Sequence, residues 1–373
     1  MSAAGVFTAA DHEFMARALR LAARGRYTTQ PNPRVGCVIV AGGEIVGEGW
    51  HRVAGGPHAE IDALTAAGPR AAGATAYVTL EPCAHHGRTP PCVDTLIAAR
   101  VARVVAAMTD PNPAVAGRGL AALAAAGIEV ASGLLATRAG ALNAGFVSRM
   151  TRGRPRVTLK LAASLDGRTA LADGTSQWIT GPAARADVQR LRAASSAILT
   201  GIGTALADDP SLTVRAPGVD TAGRQPLRVV LDSRLRLPAS ARMLALPGRT
   251  LVFAADSGAD DAALAAAGAV IERLPAGARG LDLRAALRRL AEHECNDVLV
   301  ESGPTLAGAL VEAGLADELV LYLAPHLLGA SARGLFALPG LSTMADRVQL
   351  RITDLRRVGD DLRLRAAFGP AGR

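Results

Sequence analysis

Short β-rich runs alternate with helical runs along nearly the whole chain, and the alternation stops once and restarts. This pattern constrains the fold most, because strand–helix–strand connections build sheets covered by helices. The first series opens with a helix over 11–25, "DHEFMARALRLAARG", with Phe14, Ala18, Leu21 and Ala22 on one face and Gly25 as its stop. "VGCVIV" and "IVGEGW" flank "AGGE", which predicts an antiparallel hairpin around Gly-Gly. "HAEIDALTAAG" then predicts a helix, "ATAYVTL" a strand, "CVDTLIAARV" a helix opened by Cys92, "ARVVAAM" a strand, and "GRGLAALAAAGIEV" a helix and a short strand. The basic, proline-containing segment Ser148–Arg156, "SRMTRGRPR", reads as a linker. After it "VTLKLA", "AILTG", "LRVVLD", "TLVFAA", "DVLVESG" and "ELVLYLAP" read as strands, with helices such as "DLRAALRRLAEH" and "PTLAGALVEAGL" between them. "VQLRITDLRRVGDDLRLRAAF" closes the chain as a hairpin across "VGDD". No repeat relates the halves, so two different α/β domains are expected, over 1–150 and 151–373.

Half of the 373 residues are apolar, enough for two packed cores. Four cysteines in such a length make no disulfide framework. The start "MSAAGVFTAADHEF" lacks a basic stretch and a long apolar core, and no uncharged apolar run of about 18 residues follows. A soluble, reduced, cytoplasmic protein with no membrane partner is expected. The net charge of +8 suits a phosphate-bearing partner. Arginines are scattered and aromatics amount to 3%, which argues against a nucleic-acid partner. Lys160 is the sole lysine, a hint of a site that wants a compact ammonium rather than a planar fork.

The chemistry concentrates in "GGPHAE" and "EPCAHHGRTPPC". His58 and Glu60 stand at the start of a predicted helix. Cys83 lies 25 residues beyond His58, across a helix and a strand, and Cys92 opens the next helix. One imidazole and two thiolates bind zinc and leave a fourth position for water. A carboxylate two residues from the imidazole can take the water's proton and return it to a leaving amine. This is the H-x-E…P-C-x-x-C logic of zinc-dependent base deamination, with one departure: eight residues separate the two cysteines instead of two. The Pro-Pro before Cys92 lets an enlarged loop bulge and still deliver that residue to a helix start. His85 and His86, inside the loop, are expected to face the substrate or support the ligands. Cys37 reads as a small buried residue and Cys295 as lacking a partner in sequence. In the second half, Gly303 between a strand and a helix offers backbone N–H groups to a phosphate, without matching a P-loop or a dinucleotide fingerprint. Two other readings stay open on the residues alone: a zinc deaminase acting on RNA bases, and a non-catalytic zinc-stabilised binding module with His85 or His86 as fourth ligand.

These strings resemble the family of bifunctional riboflavin-biosynthesis enzymes that fuse a pyrimidine deaminase to a pyrimidine reductase. "TTQPNPRVGCVIV", "PHAEIDAL", "ATAYVTLEPCAHHGRTPPC" and "MTDPNPAVAGRG" carry the likeness in the first half; "LKLAASLDGRTA", "SQWIT", "TALADDPSLTVR" and "VESGPTLAGALVEAGL" carry it in the second. The resemblance implies a cytidine-deaminase-like three-layer α/β/α domain followed by a dihydrofolate-reductase-like α/β domain. It implies zinc on His58, Cys83 and Cys92, a proton shuttle at Glu60, and pyrimidine-pocket roles for Asn32 and His51. It implies NADPH at Ala162, Trp178, Thr204, Asp208 and the segment Gly303, Pro304, Thr305, Leu306, Ala307, Gly308 and Ala309. Substrate contacts carry over to Ser176, Arg192, Leu212, Arg215 and Glu301. Lys160 is expected beside them, and Arg192 and Arg215 are expected to take the ribose phosphate. The implied reactions are hydrolytic deamination of 2,5-diamino-6-(5-phosphoribosylamino)pyrimidin-4(3H)-one and NADPH-dependent reduction of its ribosyl group to ribityl. The resemblance also implies a homo-oligomer.

Overall fold

The structure, a computed structural model, describes residues 7–84, 91–113, 115–256, 260–277 and 280–369. It falls into two units, Met1–Gly153 and Arg154–Arg373.

The first unit contains α1 (Ala9–Ala22), β1 (Gly36–Ala41), β2 (Glu44–Trp50), α2 (Ala59–Ala67), β3 (Thr75–Val78), α3 (Cys92–Ala98), β4 (Arg103–Ala106), α4 (Arg118–Ala125), β5 (Glu129–Ser132), α5 (Ala136–Leu142) and α6 (Ala144–Arg152). Its sheet runs β2-β1-β3-β4-β5, antiparallel on both sides of β1 and parallel from β3 onward. The first hairpin turns at Gly42 and Gly43, both at positive φ, as the sequence spacing predicts. Alternation along β1 splits the core: Cys37 and Ile39 pack with α2, α3 and α4, while Val38 and Val40 pack with α1 and Ala139 of α5. The result is a three-layer α/β/α unit.

The second unit contains β6 (Arg156–Ser164), β7 (Arg168–Ala170), α7 (Pro182–Ala194), β8 (Ala197–Gly201), α8 (Ile202–Asp208), β9 (Leu227–Leu231), β10 (Thr250–Ala255), α9 (Ala262–Ala266), β11 (Ala269–Leu274), β12 (Ala276–Gly277), β13 (Gly280–Leu281), α10 (Leu283–Glu292), β14 (Asp297–Glu301), α11 (Pro304–Glu312), β15 (Glu318–Ala324), β16 (Arg333–Gly334), β17 (Leu350–Val358) and β18 (Asp361–Phe368). Nine of these strands form one sheet ordered β11-β10-β9-β8-β14-β6-β15-β18-β17. It is parallel up to β15; β18 and β17 add the antiparallel closing hairpin. Helices α10 and α11 cover one face and α7 and α8 the other.

Two sequence expectations need correction. The first helix ends at Ala22, and 23–27 tighten into a 3₁₀ turn instead of continuing to Gly25. The expected linker Ser148–Arg156 is mostly regular structure. Ser148–Arg152 finish α6, and β6 already begins at Arg156, so three residues connect the elements. Arg149 and Arg152 suit the negative end of a helix dipole, and Gly153, at φ 63°, supplies its left-handed stop. The basic composition that read as linker is a helix C-terminus.

Candidate active sites

Glycines seat the helix that presents His58. A Cβ at Gly47 or Gly49 of β2 would lie 2.2 or 2.3 Å from the carbonyl oxygens of Ala63 and Ala59. α2 therefore rests backbone to backbone on the hairpin, with His58 as its N-cap. Cys83 follows β3, and Cys92 is the first residue of α3, where its N–H donates to Cys83 Sγ at 3.4 Å. The three donor side chains lie within 4.8 Å of one another. His58 Nδ1 stands 3.2 Å from Cys92 Sγ and 3.6 Å from Cys83 Sγ. Ordinary zinc bond lengths at tetrahedral angles separate such a nitrogen and sulfur by about 3.6 Å. Among the described residues no other three His, Cys, Asp or Glu side chains gather in this way.

The protons tell the same story. The Cys92 thiol donates to Cys83, which lowers the Cys83 pKa, assisted by His58. Cys92 itself is held protonated by that bond, by burial, and by the negative charges of Glu60 and Cys83. The Cys83 hydrogen bond in turn raises His58. Two sulfurs and a carboxylate crowd together with too little positive charge, and a dication resolves that crowding. Glu60, in the first turn of α2, is 4% exposed, and burial pushes it up to about 7. It lies within hydrogen-bonding reach of Cys92. A carboxyl that titrates near neutrality can both accept and return a proton.

Asn32 and His51 meet beside this centre. His51 Nδ1 donates to the Pro57 carbonyl at 2.9 Å, so Nε2 accepts from Asn32 Nδ2 at 3.0 Å. Burial lowers the His51 pKa, in keeping with a neutral ring. The His51 ring stands edge-on to His58, 5.7 Å between centroids. His51 is 3% exposed, and its two ring nitrogens are engaged by the Pro57 carbonyl and Asn32. His85 and His86 lie outside the described residues. Glu81 is a residue that sequence reasoning missed. Its carboxylate, 3% exposed, accepts from the backbone N–H groups of Asp110, Gly117, Gly119 and Leu120 at 2.8–3.3 Å. It thus caps α4 from a distant part of the chain and anchors the strand exit that carries Cys83. The signal was present in "EPC", but only the cysteine looked chemical.

In the second unit, adjacent strands β8 and β14 send their following helices to opposite faces: α8 packs on one side and α11 on the other. A crevice opens at the carboxyl ends of strands where this happens. Here it is a cleft of about 1820 Å³. That volume exceeds a typical single-ligand pocket and has room for a dinucleotide together with a second molecule. At its centre Lys160 and Glu301 are paired neighbours on β6 and β14. Arg192 of α7 grips Glu301 with two bonds, Nε–Oε1 at 2.6 Å and Nη2–Oε2 at 2.9 Å. Burial lowers the Lys160 pKa, against the pull of Glu301. Gly303 caps α11, its N–H donates to Thr204 Oγ1 at 3.2 Å, and the buried Ser302 hydroxyl has no hydrogen-bond partner among the described residues. An unsatisfied hydroxyl at a helix N-terminus fits a phosphate group.

Comparison with known proteins decides what the two sites belong to. Residues 8–108 match the cytidine and deoxycytidylate deaminase zinc-binding region, and residues 155–364 match the RibD C-terminal domain. The riboflavin biosynthesis protein RibD of Escherichia coli is 55% identical over 361 residues, covering 94% of this chain and 98% of that one. The chain belongs to the RibD family. RibD of Haemophilus influenzae is 50% identical, over 98% of this chain and 99% of its own. The solved structure of Acinetobacter baumannii RibD shares 46% identity with a TM-score of 0.91, covering 96% of this chain and 99% of that chain. A Thermotoga maritima diaminohydroxyphosphoribosylaminopyrimidine deaminase/5-amino-6-(5-phosphoribosylamino)uracil reductase shares 34% identity with a TM-score of 0.84 over the same shares. The chain is a bifunctional deaminase and reductase of riboflavin biosynthesis. Its zinc site is His58, Cys83 and Cys92, and its reductase unit implies a nicotinamide dinucleotide.

Within the cleft of the second unit the structure brings together Lys160, Ala162, Ser176, Trp178, Arg192, Thr204, Asp208, Leu212, Arg215, Glu301, Gly303, Pro304, Thr305, Leu306 and Ala309. Ala307 and Gly308, expected in the cofactor segment, are not among its lining; they turn inward from α11 and are buried. A Cβ at Gly308 would sit 2.0 Å from the Ala337 carbonyl oxygen, so close packing explains this glycine. Ser233, Arg236 and Arg242 also line the cleft, and sequence reasoning missed them. No described helix is long and apolar enough to cross a membrane.

Proposed function

We propose that the first unit hydrolyses the 2-amino group of 2,5-diamino-6-(5-phosphoribosylamino)pyrimidin-4(3H)-one and that the second reduces the ribosyl group of the deaminated product with NADPH. The observation that carries the first half is the buried Glu60 beside a three-donor zinc set. Zinc, when bound, supplies a Lewis acid that makes water nucleophilic near neutral pH. Glu60 takes the proton of that water and delivers it to the departing amine. Water adds, ammonia leaves, and the ring gains a carbonyl. Asn32, held by His51, orients the pyrimidine.

In the second unit the nicotinamide supplies the hydride. The chain's own part is to hold the sugar phosphate and to surround the reacting carbon with fixed charges. Arg192 is already committed, because Glu301 takes two of its donor groups and the Thr213 carbonyl a third. The ribose phosphate therefore falls to Arg215, an exposed residue whose Nη1 donates to Ser211 Oγ at 3.1 Å. Lys160 and Glu301 face the sugar. Arg236 and Arg242, each more than half exposed at the cleft, suit the extra phosphate of NADPH over NADH. Arg215→Ala is expected to raise KM for the pyrimidine at least about tenfold and to leave KM for NADPH within about twofold. Steady-state kinetics of NADPH oxidation would show it; the reverse ranking removes Arg215 from the phosphate site.

The same reading makes the protein a cytoplasmic homo-oligomer. The edge strand β17 supports association, because Ile352 and Leu355 are 60% and 59% exposed on the apolar side of the closing hairpin.

A further inference from the structure

The segment that presents Asn32 is anchored by a part of the chain beyond the deaminase match, which ends at residue 108. Pro31 and Pro33 have no N–H, so within Pro31–Arg34 only Asn32 and Arg34 can donate backbone bonds. Asn32 N–H reaches the Thr29 carbonyl at 2.7 Å. Arg34 N–H reaches Asn143 Oδ1 at 2.8 Å, and Asn143 Nδ2 returns a bond to the Arg34 carbonyl at 2.9 Å. The Arg34 guanidinium adds a bond to the Leu142 carbonyl at 2.6 Å. Asn143, 3% exposed where α5 meets α6, thus pairs with Arg34 through its side chain as a neighbouring strand would through its backbone. One residue on, the Val35 carbonyl accepts from His51 N–H at 2.9 Å, and His51 holds Asn32.

We propose that Asn143 is a positioning residue for deamination: its two-way bond to Arg34 fixes the backbone two residues beyond Asn32 and so sets the aim of that side chain at the pyrimidine. The proposal rests on the reading of Asn32 as a pyrimidine contact. Its consequence is that the α5–α6 corner, which leads through Gly153 into the second unit, is part of the deaminase and not a spacer.

The test uses the full-length zinc-loaded protein and three variants: Asn143→Ala, Asn32→Ala, and Tyr77→Phe. The last removes a buried 2.7 Å bond to Asp11 elsewhere in the same unit and serves as a matched loss of stability. Asn143→Ala is expected to raise the deaminase KM about tenfold, with Tyr77→Phe within about twofold of the parent at an equal or greater loss in Tm. Zinc content and reductase turnover should stay at parental values, and Asn32→Ala should be impaired at least as much as Asn143→Ala. If Asn32→Ala is impaired while Asn143→Ala keeps the parental KM, the positioning role is refuted and the reading of Asn32 stands. If Asn32→Ala deaminates normally, that reading fails and takes the proposal with it. If Tyr77→Phe raises KM as much as Asn143→Ala, the effect is general loosening and the proposal is overturned.

Discussion

Glu60→Gln is expected to cut ammonia release at least about a thousandfold while zinc stays bound and reduction of the deaminated substrate continues. Glutamine keeps the shape of Glu60 and its place in the first turn of α2. It cannot accept the water's proton and return it to the leaving amine. The ligand set is untouched, because His58, Cys83 and Cys92 form the cluster without Glu60. Removal of a buried negative charge also relieves the pressure on the Cys92 thiol, so zinc retention is the expected outcome. Metal analysis and an ammonia assay on one preparation check both statements. Deamination by this variant at near-parental rate would remove Glu60 from the mechanism.

Arg192→Leu is the second large effect, expected to lower the stability of the reductase unit by about 3–5 kcal/mol and to abolish NADPH oxidation. Arg192 and Glu301 are 11% and 13% exposed, and their two bonds compensate for burying both charges. Burial alone would raise the Glu301 pKa; the charge and hydrogen bonds of Arg192, with Lys160 adding to them, hold it instead at about 2. Leucine leaves that carboxylate facing Lys160 without its fork. The double variant Arg192→Leu/Glu301→Leu should recover most of the stability and none of the activity, since the cost lies in the stranded charge. Denaturant melts with parallel kinetics separate the two quantities. The pair also sets a pH dependence. The folded pKa of about 2 lies below the unfolded value of roughly 4.3, so its stabilisation is complete above that value. It is lost as pH falls from about 4.3 towards 2, and Arg192→Leu should flatten acid unfolding in that window.

The zinc centre was legible because its chemistry is local. His-x-Glu at a helix start and Pro-Cys after a strand leave few ways to place those donors, and the eight-residue insertion changed the loop but not the ends. Gly303 stands at a strand-to-helix junction in the cleft, as its setting in the sequence predicts, and the other cleft walls follow from the resemblance. What the sequence hid is long-range or periodic. Asn143 and Arg34 stand 109 positions apart, and nothing in "ALNAGF" announces a bond to "PNPR". Glu81 looked like a flank of Cys83, yet its partners lie 29–39 positions downstream. Ala307 and Gly308 were carried over as part of a continuous segment, whereas a helix that starts at Pro304 turns those two residues into the core. The supposed linker took in the last turn of α6, a helix that buries only Gly145, Phe146 and Ser148, too little apolar surface to outweigh its arginines by composition.

In the proposed scheme one chain carries two separate chemistries, the first dependent on zinc and the second on NADPH. The most direct measurement follows ammonia release and NADPH oxidation separately on the diaminopyrimidine substrate, in holoenzyme and in protein stripped of zinc by a chelator, with the deaminated substrate supplied in a parallel reaction. The expected result is ammonia from the holoenzyme without NADPH, no ammonia after stripping, and undiminished NADPH oxidation on the deaminated substrate in both preparations. Ammonia release that requires NADPH, or a stripped but folded protein that no longer reduces the deaminated substrate, would contradict it.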